Sequence, residues 1–323
     1  MGKERTAVLG VGQTEYRSTR GDVSMAGLVR EAALRALADA LGCAGKPILR
    51  VHTAGSVGGS TALVATSLVQ AGVHRRVLTL GFEKQSESNA TWALSLPQPF
   101  SVSINAGAGG YFSPIIRQYM ARSGAPDLIG CMVAFKDRQH ALRNPYAHLH
   151  QADLTFDQVV EAPMLWDPIR YSETCPSSDG ACAMVLGDEA AGDASPKPVA
   201  WVHGTAMRSE ANNFPGRDEV SPQASRDCAA DVFRQAGITQ GWRMVEEGAT
   251  HLDGGDLPVN CSGGVLSSNP IGASGMIRFA EAALQVRGMA GEHQVDGARR
   301  AFGHAYGGGA QYFAMWVVGA DKP

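Results

Sequence analysis

VHTAGSVGGSTAL, Val51 to Leu63, is the stretch whose reading decides the fold. Its small residues have the composition of a tight turn feeding a helix, and its candidate nucleophiles are hydroxyls: Thr53, Ser56, Ser60 and Thr61. The pattern returns in SNPIGASGMIRFAEAALQVRG, Ser268 to Gly288, a second glycine-rich turn running into a long helix. The surroundings of the two turns also match. TAVLGVG reads as a buried strand and SMAGLVREAALRALADAL as an amphipathic helix with Ser24 as its N-cap; PILRVHTAG and RRVLTLGFE read as two more strands. In the second half KPVAWVHGTAMRSE is a strand, SRDCAADVFRQAG a helix and FAMWVVGAD a closing strand. Two copies of one plan follow, and the strand and helix alternation predicts parallel sheets covered on both faces. A strand feeding a helix N-terminus leaves unpaired N–H groups that suit an anion or a developing oxyanion.

Composition narrows the function classes. A chain of 323 residues with 44% hydrophobic content can bury a large core. Net charge −3 with 18% charged residues carries no nucleic-acid footprint. The six cysteines include no CxxC pair, so neither a zinc site nor a disulfide framework is indicated, and reduced cytoplasmic thiols fit. No apolar run approaches the ~18 residues of a membrane span, and the start of the chain does not read as a signal peptide.

The runs AVLGVGQTEY, GFEKQSESNA, RNPYAHLH, ETCPSSDGACAMVL, NPIGASG and HAYGGG, in that order along nearly the whole chain, resemble the thiolase superfamily. Within it, the resemblance is to the sterol-carrier-protein-x and lipid-transfer thiolase-like group. It implies a five-layer αβαβα fold of two pseudo-repeated halves, residues 1–195 with an inserted loop region at about 89–178, and residues 196–323. It further implies a homodimer, paired through the strand near RVHTAG, and a coenzyme A thioester as ligand.

Thiolase chemistry needs a thiolate to carry the acyl group, a histidine to activate it and a second cysteine to move a proton. At the matching positions this chain has Ser56, Asn269 and Ala305, with Tyr306 beside the last. The resemblance therefore implies the fold without the thiolase reaction. Members lacking these cysteines include steroid side-chain aldolases that work with a small OB-fold (DUF35-type) partner. A retro-aldol cleavage of a β-hydroxyacyl-CoA needs a proton carrier and enolate donors but no covalent acyl carrier. On this reading Tyr306 or His304 moves the proton, Asn269 and Ser56 hold the enolate oxygen, and Gly272, Ala273, Ser274, Gly307 and Gly308 line the coenzyme A site. An acyltransferase using Ser56 or Cys261, and a non-catalytic acyl-CoA or lipid-binding subunit, are the alternatives.

Blander roles compete for several residues. Tyr306 packed beneath its loop, His304 as a hydrogen-bonded structural histidine, and Asn269 and Ser56 as plain turn formers are the competing readings. Cys261 reads as a small apolar residue. His140, His148 and His150 match no metal-binding spacing. Of the basic residues Arg122, Lys136, Arg138, Arg143 and Arg170, one or two are expected on coenzyme A phosphate. Against the family the chain is short near Ala40–Gly45 and at Ile238–Gln240. Missing residues explain this better than true deletions, since losing a sheet strand strips a core face.

Overall fold

The structure, a computed structural model, describes residues 4–40, 47–87, 107–210, 217–236, 250–255 and 257–323. Both places where the chain looks short fall largely outside these residues. In chain order the elements are β1 (Ala7–Gln13), α1 (Met25–Ala40), α2 (Val57–Gln70), β2 (Arg76–Lys84), α3 (Gly107–Ser123), α4 (Ile129–Ala141), α5 (Phe156–Val160), β3 (Met164–Trp166), β4 (Ile169–Arg170) and β5 (Asp179–Gly187). They continue with α6 (Glu189–Asp193), β6 (Ala200–Ser209), α7 (Gln223–Ala236), α8 (Gly264–Ser267), α9 (Ile271–Arg287), β7 (Arg300–Gly307) and β8 (Tyr312–Gly319).

Strand side chains alternate between two faces, and that alternation builds the layers. In β5, Ala181, Ala183 and Val185 meet Leu28, Ala32 and Ala36 of α1 on the outer side. The residues between them, Cys182, Met184 and Leu186, face α9 and α2. β8 repeats the arrangement, with Phe313, Met315 and Val317 against Cys228 and Val232 of α7 and Ala314, Trp316 and Val318 facing the centre. The order of layers is α1, the β2-β5-β1 wing, the α2–α9 pair, the β6-β8-β7 wing and α7. This is the five-layer thiolase architecture. Small residues let the central helices touch: Ala62, Ala65, Ala273 and Ala280 are all buried, and Gly58 and Gly59 of α2 lie against Gly272–Met276 of α9.

Two expectations are corrected. Every pairing in the six-stranded sheet is antiparallel, not parallel. β1 and β2, joined by helices, do run the same way, but β5 arrives from the long insertion and sits between them, antiparallel to both. β8 does the same between β6 and β7. Among the described residues, the strands of the two wings pair where β1 meets β6, at Ala7–Trp201 and Val8–Ala200. Second, PILRVHTAG forms no strand; Ile48 and Leu49 are 97% and 65% exposed, so its apolar run is not buried by this chain. The described part of the inserted region carries α3, α4 and α5.

Candidate active site

Three segments singled out by sequence converge where α2 begins. Ser56 is the residue before α2 and is fully buried. Its hydroxyl does not cap the helix but donates to the Thr53 carbonyl at 2.8 Å, while the Thr53 hydroxyl donates to Ser60 Oγ at 2.8 Å. Gly307, at the end of β7, lies against this loop so closely that a Cβ there would come within 2.3 Å of Ser56 N, which only glycine permits. Gly55 in turn lies beside Tyr306 O and Ile271 Cγ2. Ala305, at the family's acid/base cysteine position, is buried, with its methyl group wedged toward Gly59 and Gly275.

Asn269 precedes α9 in a separate cluster. Its Oδ1 accepts from Ser274 Oγ at 2.6 Å, its Nδ2 donates to Cys175 Sγ at 3.1 Å and its backbone N–H donates to Ser178 Oγ at 3.1 Å. His148 Nδ1 lies 2.9 Å from the same Ser178 oxygen. Burial and the Arg138 charge hold its imidazole below its ordinary pKa. Desolvation around the Cys175 sulfur pushes that thiol up, although the residue keeps exposed surface. At the start of α9 the N–H groups of Ala273 and Ser274 are both taken by Pro270 O. Those of Ile271 and Gly272 have no acceptor among the described residues, so they are the helix's available anion donors. The side chain of Ala273 is in the core and cannot line a ligand.

Along β7, alternation separates the proposed proton carriers from Ser56. Ala305 and Gly307 face inward; His304 and Tyr306 face outward, toward α7 and α3. His304 stacks flat on Phe313, with ring centroids 5.9 Å apart, and desolvation lowers its pKa. Tyr306 is half-buried between Phe112 and Phe313. Burial pushes its phenol up to about 12, against the opposing effect of hydrogen bonds from Tyr111 and the Ala310 N–H. Tyr111 Oη donates to Glu219 Oε2 at 2.9 Å, and Arg217 Nη2 lies 3.6 Å from that oxygen. Sequence reading missed Tyr111, Glu219, Arg217 and Cys175. The Tyr-Phe pair after GAGG was the only local signal for Tyr111, and nothing local marks Glu219.

The remaining candidates have structural partners. His140 bonds Asn260 O and the Leu252 N–H, and burial lowers it to about 4. His150 bonds Asn144 O. No cluster of metal-ligating side chains occurs among the described residues. Burial pushes the Cys261 thiol up to about 11, away from nucleophilic use. Lys136 pairs with buried Asp137, Arg138 bonds Leu266 O and Gln151, and Arg170 bonds Val160 O. Arg122 and Arg143 pair with Asp218 and Asp253. These five cations serve the scaffold. No helix among the described residues is long and apolar enough to cross a membrane.

Comparison with known proteins agrees with this architecture. Residues 233–320 match the family described as Thiolase C-terminal domain-like. The chain is 27% identical to sterol carrier protein 2 of Homo sapiens over 88% of this chain and 61% of that one, so it spans about three-fifths of that relative. It is 28% identical to acetyl-CoA acetyltransferase of Methanothermobacter thermautotrophicus over 84% of this chain and 80% of that one. A solved structure of an Ltp2-ChsH2(DUF35) aldolase superposes with TM-score 0.82 at 22% identity, covering 99% of this chain and 98% of that one.

Proposed function

We infer that this thiolase-fold chain, similar in sequence to the sterol-carrier-protein-2 group, processes acyl-CoA thioesters and cleaves a β-hydroxyacyl-CoA by a retro-aldol reaction. The observation that carries the reading is the contrast between two hydroxyls at the end of β7. Ser56 Oγ is turned into its own loop, with no described histidine bonded to it, and so lacks the activation an acyl-carrying nucleophile needs. The Tyr306 phenol instead stands outside that loop, half-buried between Phe112 and Phe313. In this reading the thioester oxygen, negative in the enolate, takes hydrogen bonds from the Ile271 and Gly272 N–H groups and from Asn269 Nδ2 once Cys175 releases it. Tyr306, entering the step as its phenolate, receives the β-hydroxyl proton as the Cα–Cβ bond breaks and the electron pair of that bond enters the thioester enolate. His304, stacked on Phe313 on the same outer face of β7, is the alternative proton carrier.

A homodimer belongs to the same reading, and a small OB-fold partner fits the similarity to the Ltp2-ChsH2(DUF35) aldolase. The test is turnover of β-hydroxyacyl-CoA and β-ketoacyl-CoA compounds, with and without a co-expressed OB-fold protein. Cleavage of the β-hydroxy compound without a trapped acyl-enzyme supports the reading. An acyl group found on Ser56 or Cys261 by mass spectrometry, or tight binding with no turnover, replaces it with an acyltransferase or a binding subunit.

A further inference from the structure

We propose that Arg217 is a positioning residue for Tyr306: its guanidinium clamps the glycine turn between β7 and β8 to the segments around it, and so fixes the two aromatic walls between which the Tyr306 ring stands. The proposal rests on the retro-aldol reading, in which Tyr306 is the proton carrier, and names what holds that carrier in place.

The turn needs holding. Gly308, Gly309 and Ala310 follow one another in left-handed backbone, with φ of 64°, 61° and 58°, and the last carries a Cβ that disfavours this conformation. Left-handed backbone is ordinarily visited by single residues, so a run of three stands only by its surroundings. The carbonyls of Gly309 and Ala310 lie outside the β7–β8 ladder, which ends at the pair Gly307–Tyr312. Arg217 Nη2 donates to both of them, at 3.1 Å to Gly309 O. Its Nε lies 2.9 Å from Glu210 Oε2, and its Nη2 lies 3.6 Å from Glu219 Oε2. The side chain is only 7% exposed, so the cation is buried among two carboxylates and two carbonyls that match its charge and donors.

Each partner reaches a different element. Glu210, directly after β6, donates its N–H to Gln311 O at 2.9 Å and accepts the Ala224 N–H of α7 on Oε1 at 2.8 Å. Glu219 Oε2 accepts the Tyr111 hydroxyl of α3 at 2.9 Å. The Tyr111 ring also packs on the turn itself, where a Cβ at Gly309 would come within 3.2 Å of Tyr111 Cζ. One guanidinium thus ties the turn to β6, α7 and α3. Tyr306 stands among these parts, its ring centroid 6.0 Å from that of Phe112, the residue after Tyr111, and 5.8 Å from that of Phe313, the second residue of β8. A shift of the turn against α3 changes the gap between those two rings and with it the aim of the phenol. A misplacement of about 1 Å at a reacting group costs on the order of 100-fold in rate. Arg217 itself touches no reacting atom. Its planar fork reaches carboxylate and carbonyls together, which the compact ammonium of a lysine does only in part.

The experiment compares wild type, Arg217→Met, Arg217→Lys and Arg287→Met in kcat and KM for a β-hydroxyacyl-CoA, with thermal melts and amide hydrogen exchange on each. Arg287 is the comparator for a guanidinium that serves the scaffold alone: it is buried, and it donates to Pro198 O and Leu9 O beside the β1–β6 seam. The clamp predicts kcat reduced roughly 100-fold in Arg217→Met with KM little changed, and part of that loss recovered in Arg217→Lys. Arg287→Met should lower the melting temperature and leave kcat near that of wild type. Without substrate, the amides of residues 308–311 should exchange faster in Arg217→Met, while those of 313–318 in β8 keep their protection. Unchanged kcat in Arg217→Met, an equal loss of kcat in Arg287→Met, or unchanged exchange at the turn overturns the clamp. Should Arg217→Met not fold, Arg217→Lys decides by the same two readouts, wild-type values overturning the proposal. A wild type that cleaves no β-hydroxyacyl-CoA overturns the retro-aldol reading instead, and the exchange result, which needs no substrate, then decides the clamp by itself.

Discussion

β5 and β8 occupy equivalent places, each inserted between two like-directed strands and each sending alternate residues to an outer helix and to the central pair. Their sequences, DGACAMVLG and YFAMWVVG, share little beyond that alternation. What differs is how each is reached. β5 follows a long excursion through α3, α4 and α5, whereas β8 follows β7 after the turn Gly308–Gln311. The scaffold repeats where burial dictates a period, and the proposed chemistry lies where the repeat fails, at the β7–β8 turn and the α3 segment beside it.

Substitutions at matched places should sharpen this comparison. The largest effect is expected at Trp316 of β8, which is fully buried and stacks on Phe279 at 4.8 Å. Trp316→Ala should destabilise by about 3–5 kcal/mol, and Met184→Ala, on the matching face of β5, by about 2–5 kcal/mol. Chemical denaturation measures both, and a negligible loss at either one breaks the equivalence of the wings. Next comes Tyr306→Phe, expected to keep the fold and coenzyme A affinity while cutting turnover by roughly 100-fold or more. Full activity in that variant would move the chemistry away from the β7–β8 turn.

A smaller effect tests the central layer. His293 Nε2 lies 2.9 Å from Glu281 Oε2, and Gln13 donates to the other oxygen of Glu281. Burial opposes the charge on His293, but Glu281 prevails and raises its pKa; Glu281 is lowered, its partners overcoming its own desolvation. The raised histidine stabilises the fold fully below its unfolded value of about 6.5 and loses that contribution as pH rises through its folded value, by at most about 1.4 kcal/mol per pH unit. The lowered carboxylate acts in the opposite sense, losing its contribution as pH falls below its ordinary range. Melting temperature should therefore decline above about pH 6.5, and His293→Gln should flatten that decline; an equal slope in the variant removes the pair as its cause. Ser56→Ala should do least, about a few-fold in turnover, because one hydroxyl among backbone donors is replaceable. A loss larger than that of Tyr306→Phe would restore Ser56 as a nucleophile.

Much of the scaffold was legible because burial leaves a period in the residues. The alternation of β5, the cap of α1 and the small faces of α2 and α9 can be read directly, and Ser24 does accept the Gly27 N–H as a cap. Strand direction was not legible, because the path of a long insertion decides which strand enters between β1 and β2. PILRVHTAG misled because a short apolar run looks the same whether its own chain buries it or leaves it open. The site was only half legible. Ser56, Asn269 and Tyr306 stand in recognisable turns, but their division between two faces of β7 depends on strand parity, and Tyr111 and Glu219 meet only through tertiary packing.

The seam between the wings also bears on how the chain is made. β1 meets its neighbour β6 at just two residue pairs, and the inner face of α2 is covered by α9 and by the last strand, β8. β1, α1 and α2 precede α9, β6 and β8 along the chain, and no described residue of that portion covers the small-residue face of α2 or pairs with β1. The nascent N-terminal half must hold an unpaired edge and a bare apolar stripe until the final helix and strands emerge. Synthesis that stalls before Ile271 should therefore yield a chaperone-bound or aggregated product rather than a folded half.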